Sequence, residues 1–83
     1  MYRIELSSEA KNNFRKLKIS HRIAVGFIIN DLKENPHLGK PLGRELMGRY
    51  SYRINVYRIV YKISTDDNLV TIITVGHRSK VYN

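Results

Sequence analysis

Tyr50-Ser51-Tyr52-Arg53-Ile54-Asn55-Val56-Tyr57-Arg58-Ile59-Val60-Tyr61 is the stretch that decides the fold. On either side of Asn55-Val56, apolar and aromatic residues fall at every second position, the period of a strand with one covered face. Two such runs joined by two residues read as a hairpin, and Asn tolerates the positive φ that so short a turn demands. With Asn55-Val56 as the loop, Ile54 lies opposite Tyr57, Arg53 opposite Arg58, Tyr52 opposite Ile59, Ser51 opposite Val60 and Tyr50 opposite Tyr61. One face is then Tyr50, Tyr52, Ile54, Tyr57, Ile59 and Tyr61. The other carries Arg53 against Arg58, with Lys62 further along. Like charges directly opposite destabilise a sheet. An anion held between the two arginines would account for the pair; so would side chains that splay into solvent, or that pair with Glu45 or an Asp.

On the C-terminal side, Ser64-Thr65-Asp66-Asp67-Asn68 reads as a turn. Leu69-Val70-Thr71-Ile72-Ile73-Thr74-Val75 follows, a β-branched run that predicts a central strand buried on both faces. On the N-terminal side, residues 36–49 hold Pro36, Gly39, Pro41, Gly43 and Gly48, a loop with room for one short strand. Ahead of it the period is helical. A second helix, capped by Ser20, ends near Asn35 because Pro36 disfavours α geometry in the residue before it. Its predicted core stripe is Ile23, Ala24, Phe27, Ile28 and Leu32, with Val25 and Ile29 on a second face. A first helix over residues 9–17 carries Ala10, Phe14 and Leu17 behind a Ser7-Ser8 cap. Residues 2–6 alternate as a short strand. The sum is one α+β domain over residues 1–83, in the order β-α-α-β-β-β, with both helices on one face of an antiparallel sheet.

The chain has 83 residues and a formal charge of +8, from 15 Lys+Arg against 7 Asp+Glu. With 42% hydrophobic and 27% charged residues it has the balance of a folded domain. Cysteine is absent, which excludes disulfides, thiolate metal sites and cysteine nucleophiles. No apolar run approaches the ~20 residues of a membrane span, and Met1-Tyr2-Arg3-Ile4-Glu5 does not open a signal peptide. A cytoplasmic protein without membrane association is expected, its charge favouring an anionic partner such as nucleic acid or an acidic protein.

A second basic group follows the last strand: His77, Arg78, Lys80 and Tyr82. Strand ends are rigid supports for functional loops. His can titrate near neutral pH, Arg can fork onto a phosphate, and Tyr can stack on a base. A surface or hydrogen-bonded His and a packing Tyr are the plainer readings of the same residues. Lys40, Arg44 and Arg49 in the loop either extend the basic surface or are simply solvated. His21, His37 and His77 lack metal-ligand spacing, the glycines match no phosphate-binding fingerprint, and Asp66-Asp67 reads as turn chemistry.

Gly39-Lys40-Pro41-Leu42, Glu45-Leu46-Met47-Gly48, Tyr52-Arg53-Ile54, Tyr57-Arg58-Ile59-Val60-Tyr61, Val75-Gly76-His77-Arg78 and Val81-Tyr82 together resemble the RelE/ParE toxin superfamily. The resemblance covers nearly the whole chain. It implies a RelE-like fold and the toxin of a type II toxin–antitoxin pair, neutralised by a cognate antitoxin. RelE-like members cut messenger RNA on the ribosome without a metal or other cofactor. The substrate's 2′-hydroxyl attacks the neighbouring phosphate, leaving a 2′,3′-cyclic phosphate. By the same resemblance Arg58 and Arg78 fall on arginines that stabilise the scissile phosphate, and Tyr82 on a tyrosine that orients the nucleotide. Arg53 and His77 fall on positions that are often basic. Lys40, Arg44, Arg49, Lys62 and Lys80 would extend the RNA-binding surface. Asn55 stands near where some members have a second Lys, and the general base is unassigned: His77 or Arg53 is a candidate, Lys40 a distant one. ParE-like members share the fold and poison DNA gyrase; they usually lack the basic and aromatic tail. A degenerate member that only binds its antitoxin is the third alternative.

Overall fold

The computed structural model describes residues 1–43 and 48–77, with residue 77 given by its backbone alone. The strand β1 (Arg3–Leu6) leads into α1 (Ser8–Lys16) and α2 (Ile19–Glu34). A single 3-10 turn, Pro36–Leu38, precedes the two-residue strand β2 (Lys40–Pro41). The remaining strands are β3 (Arg49–Ile54), β4 (Tyr57–Ser64) and β5 (Leu69–His77). They form one five-stranded sheet in the order β1-β5-β4-β3-β2. Among the described residues, no helix is long and apolar enough to cross a membrane.

The hairpin has the register its sequence dictates: Ile54 pairs with Tyr57, Arg53 with Arg58, Tyr52 with Ile59, Ser51 with Val60 and Tyr50 with Tyr61. Asn55 takes φ 56°, the left-handed conformation expected of the turn. From β2 to β5 the strands form an antiparallel meander. The β1–β5 pair is parallel, so the sheet is mixed. Strand alternation carries no information on this pairing, which joins the two ends of the chain.

Ser7 caps α1, its side chain accepting from the Ala10 N–H. The cap expected at Ser20 is not used: α2 begins at Ile19, with Lys18 at its N-cap and no side-chain capping bond. The core stripe of α2 also differs from the expected one. Val25 and Leu32 are fully buried, with Ile28 and Ile29 packed beside them, whereas Ile23 and Phe27 face outward. Apolar residues occupy most of the circumference of this helix, so periodicity alone cannot select the face that meets the sheet. The core joins Ala10, Leu17, Val25 and Leu32 from the helices to Ile59, Tyr61, Val70, Ile72 and Val75 from the sheet. Each large aliphatic side chain buried there contributes about 1.5–3 kcal/mol.

β5 is interior to the sheet but not buried on both faces, since Thr71, Ile73 and Thr74 are only half-buried. Its pairing with β4 shifts by one residue between Val60 and Tyr61, a bulge that leaves backbone groups off the ladder. The pairing of β5 with β1 ends at Ile72, and beyond it side chains from the start of the chain bond to β5. The Ser7 hydroxyl donates to the Ile73 carbonyl at 2.6 Å, and Asn13 Oδ1 accepts from the Val75 N–H at 3.0 Å and from the Thr74 hydroxyl at 2.9 Å. The first helix thereby holds the strand that ends at His77.

Candidate nucleic-acid interface

Cross-strand partners project from the same side of a sheet, so the register fixes what shares the face away from the helices. One row on that face is Arg53 and Arg58, with Gly76 continuing it on β5. The next is Lys40, Ser51, Val60 and Thr74. Beyond it lie Arg49, Lys62, Thr71 and Glu5. Arg53 is exposed, whereas Arg58 is half-buried, with its Nε out of solvent. Gly76 itself places no side chain beside Arg58.

A groove of about 450 Å³ runs along this face, lined by Leu38–Leu42 of the loop and by Ser51, Tyr52, Arg53 and Arg58. Lys40 is among the lining residues, so three cations border one cleft. The buried Tyr61 sets the position of the loop that lines it. Its hydroxyl donates to the Pro36 carbonyl at 2.7 Å and accepts from the Gly39 N–H at 2.9 Å. Burial pushes its pKa up, only partly offset by the Gly39 N–H, with Tyr50 and Tyr52 adding to the rise. Tyr50 stacks on the Tyr61 ring at 5.6 Å, and His37 meets Tyr50 edge-on at 5.8 Å. Buried Tyr61, half-buried Tyr50 and exposed His37 thus form a row of rings that leads from the core to the turn before Lys40.

Two guanidinium groups on directly opposed positions, with an ammonium across a cleft, can fork onto a phosphate and stabilise added negative charge on it. Of the residues expected in a site, the structure brings Arg53, Arg58 and Lys40 together. Arg49 and Lys62 form a second like-charged pair two same-face rungs away, about 13 Å along the strands. That pairing follows from extending the hairpin register by one row, a step the sequence reading had open to it. Glu5 shares this far end, and Asp67 lines a hollow there with Lys62, so the charge is mixed at that end and cationic at the groove. The His77 backbone pairs with Tyr57, one position beyond the arginine row. Arg44, Arg78, Lys80 and Tyr82 lie outside the described residues. Sequence reasoning missed Tyr61 as the anchor of the groove wall, because on an apolar strand face it reads as core alone.

The family model of the ParE toxin of type II toxin–antitoxin systems matches residues 4–82. The chain is 36% identical to toxin RelG of Mycobacterium tuberculosis over 83 aligned residues, covering 98% of this chain and 95% of the relative. Among solved structures, the RelBE2 toxin–antitoxin complex of M. tuberculosis matches with a TM-score of 0.86 and 37% identity, covering 93% of this chain and 98% of that one. The isolated Escherichia coli RelE toxin matches with a TM-score of 0.82 and 26% identity, covering 99% and 92%.

Proposed function

The chain belongs to the RelE/ParE toxin superfamily of type II toxin–antitoxin systems, and from that premise we propose that it is a ribosome-dependent endoribonuclease acting on messenger RNA. The observation that carries the reading is the opposed Arg53–Arg58 pair beside Lys40 on one groove. Arg58, held half-buried with a restricted side chain, takes the scissile phosphate; Arg53 and Lys40 grip the flanking backbone. The ribose 2′-hydroxyl attacks the adjacent phosphorus as its proton passes to a base. The bond to the 5′-oxygen breaks and that oxygen takes up a proton, leaving a 2′,3′-cyclic phosphate and a 5′-hydroxyl. The paired arginines act on the extra negative charge of the pentacoordinate phosphorus, a preorganised electrostatic contribution. By the family resemblance Arg78 is assigned a further contact to the phosphate and Tyr82 the orientation of the nucleotide; His77 is the candidate for the base, since Arg53 stays protonated and serves as a cation. The Arg49–Lys62 pair extends the track for the RNA strand.

A cytoplasmic antitoxin neutralises the protein by covering this face. Similar structures include toxin–antitoxin complexes, and a +8 chain is steered toward an acidic segment at diffusional encounter. The description of the matching family as ParE toxin favours the rival reading, DNA gyrase poisoning. Pulse-labelling after induced expression separates the two. Methionine incorporation that collapses while thymidine incorporation continues supports messenger cleavage; the reverse order supports gyrase.

A further inference from the structure

Among the described residues Ser51 is the one buried polar side chain, 9% exposed. It is not part of the hydrophobic core. The register puts it on the face away from the helices, opposite Lys40 on β2 and Val60 on β4. There it lines the cationic groove together with Lys40, Arg53 and Arg58. Its hydroxyl has no hydrogen-bond partner among the described residues. A covered hydroxyl left unmatched costs free energy that a methyl group would not. Packing against the loop, where Gly39 comes close to the Ser51 carbonyl, asks only for a small side chain. The oxygen is left for a ligand.

Ser51 stands one same-face rung from Arg53 on the same strand. Such rungs are about 6.6–6.8 Å apart, close to the interval between neighbouring phosphates of an extended single strand. The rung beyond carries Arg49 and Lys62, so donors recur at that interval from the arginine pair outward. They recur on one side, because on the other side the hairpin turns at Asn55-Val56.

Taking the groove as the ribonuclease site proposed above, we infer that Ser51 is a substrate-binding residue. Its hydroxyl donates to a non-bridging oxygen of the phosphate next to the scissile one, on a single flank of the cut. Lys40, directly opposite, pairs with the same phosphate. A hydroxyl beside an ammonium fits an anion whose oxygens accept from both. Contacts to the backbone are blind to base sequence, so this subsite sets the register of the strand over Arg58 without choosing the codon. The bond is present before and during the attack. Losing it therefore weakens binding and leaves the bond-breaking step alone.

Ribosomes programmed with a short synthetic messenger, mixed with excess purified protein, give a maximal cleavage rate and a half-saturating protein concentration. Ser51→Thr and Ser51→Val have the same shape and differ by the hydroxyl, so a steric effect is common to both. Ser51→Val should need about tenfold more protein than Ser51→Thr for half-saturation, at equal maximal rate. Ser51→Ala breaks no hydrogen bond within the protein and adds no bulk. It should keep the melting temperature of the wild type and raise half-saturation by about tenfold. A methylphosphonate, which removes the charge of one phosphate, is then placed on either side of the cleaved linkage. On one flank its effect should shrink in Ser51→Ala, and on the other it should be the same in both proteins. Equal half-saturation for the Thr and Val variants, a Ser51→Ala protein that cleaves like the wild type, or a methylphosphonate effect that Ser51→Ala changes on neither flank would each overturn the inference while the messenger is still cut. Messenger left intact by the wild type would overturn the ribonuclease reading and this inference with it.

Discussion

The hydroxyl of Tyr61 and the backbone N–H of Gly39 meet at 2.9 Å, and through that bond the hydrophobic core sets the wall of the cationic groove. The same hydroxyl donates to the Pro36 carbonyl, so one buried oxygen satisfies both sides of the turn that leads to Lys40. Tyr61→Phe leaves two backbone groups without their partner. The expected cost is about 1–3 kcal/mol, read from urea denaturation, together with weaker RNA binding because Lys40 is less well held.

Burial raises the pKa of Tyr61 above its ordinary value of 10.0. The folded state therefore holds this proton more tightly than the unfolded chain does. Its contribution to stability is fully present below pH 10 and falls as pH rises from there through the raised value. The stability difference between wild type and Tyr61→Phe should shrink above pH 10 in denaturation measured at successive pH values. A difference that stays constant to pH 11.5 would mean that the phenol is not held neutral by the fold.

Gly39→Ala should destabilise the protein by about 1–3 kcal/mol through overpacking. Its Cβ would stand 2.5 Å from the Tyr61 hydroxyl and 2.8 Å from the Ser51 carbonyl. Removing the hydroxyl relieves one of these contacts. The double variant with Tyr61→Phe should therefore cost less than the sum of the two single changes, a coupling that a double-mutant cycle measures directly.

Arg53 and Arg58 face each other across the hairpin, and under the proposed function this like-charged pair serves an anionic ligand. Neutralising the exposed member, Arg53→Gln, should raise stability by about 0.2–1 kcal/mol at low salt and lower messenger cleavage. Arg58→Lys keeps the charge and loses the planar fork. It should reduce the cleavage rate by roughly 10²–10³, the usual effect of losing one transition-state donor. Loss of stability in Arg53→Gln would show that the pair is structural.

The parts of this molecule that were legible in its sequence are those specified by more than one local signal. The hairpin register was fixed by alternation on both strands and by a turn residue suited to positive φ, and every pairing read from it is present. The face of α2 was not legible, because Ile19, Ile23 and Phe27 are as apolar as Val25, Ile28 and Leu32, and only tertiary fit selects between them. The parallel β1–β5 pair was hidden for a different reason: it joins residues more than sixty positions apart, and neither strand's pattern encodes its neighbour. The groove was half legible. Its arginines follow from the register, whereas Lys40 reached it through a turn whose anchor, Tyr61, is indistinguishable in sequence from any other core aromatic.

Under the proposed function the Arg53–Arg58 groove cuts messenger RNA on the ribosome. Mapping 5′ ends on a defined messenger, with translating ribosomes and the purified protein, tests it most directly. New ends confined to ribosome-bound codons, bearing a 5′-hydroxyl and matched by upstream fragments ending in a 2′,3′-cyclic phosphate, are the predicted result, and Arg58→Ala should abolish them while the protein remains folded. Intact messenger in the same reactions, with gyrase–DNA complexes stalled by the same preparation, would contradict the account.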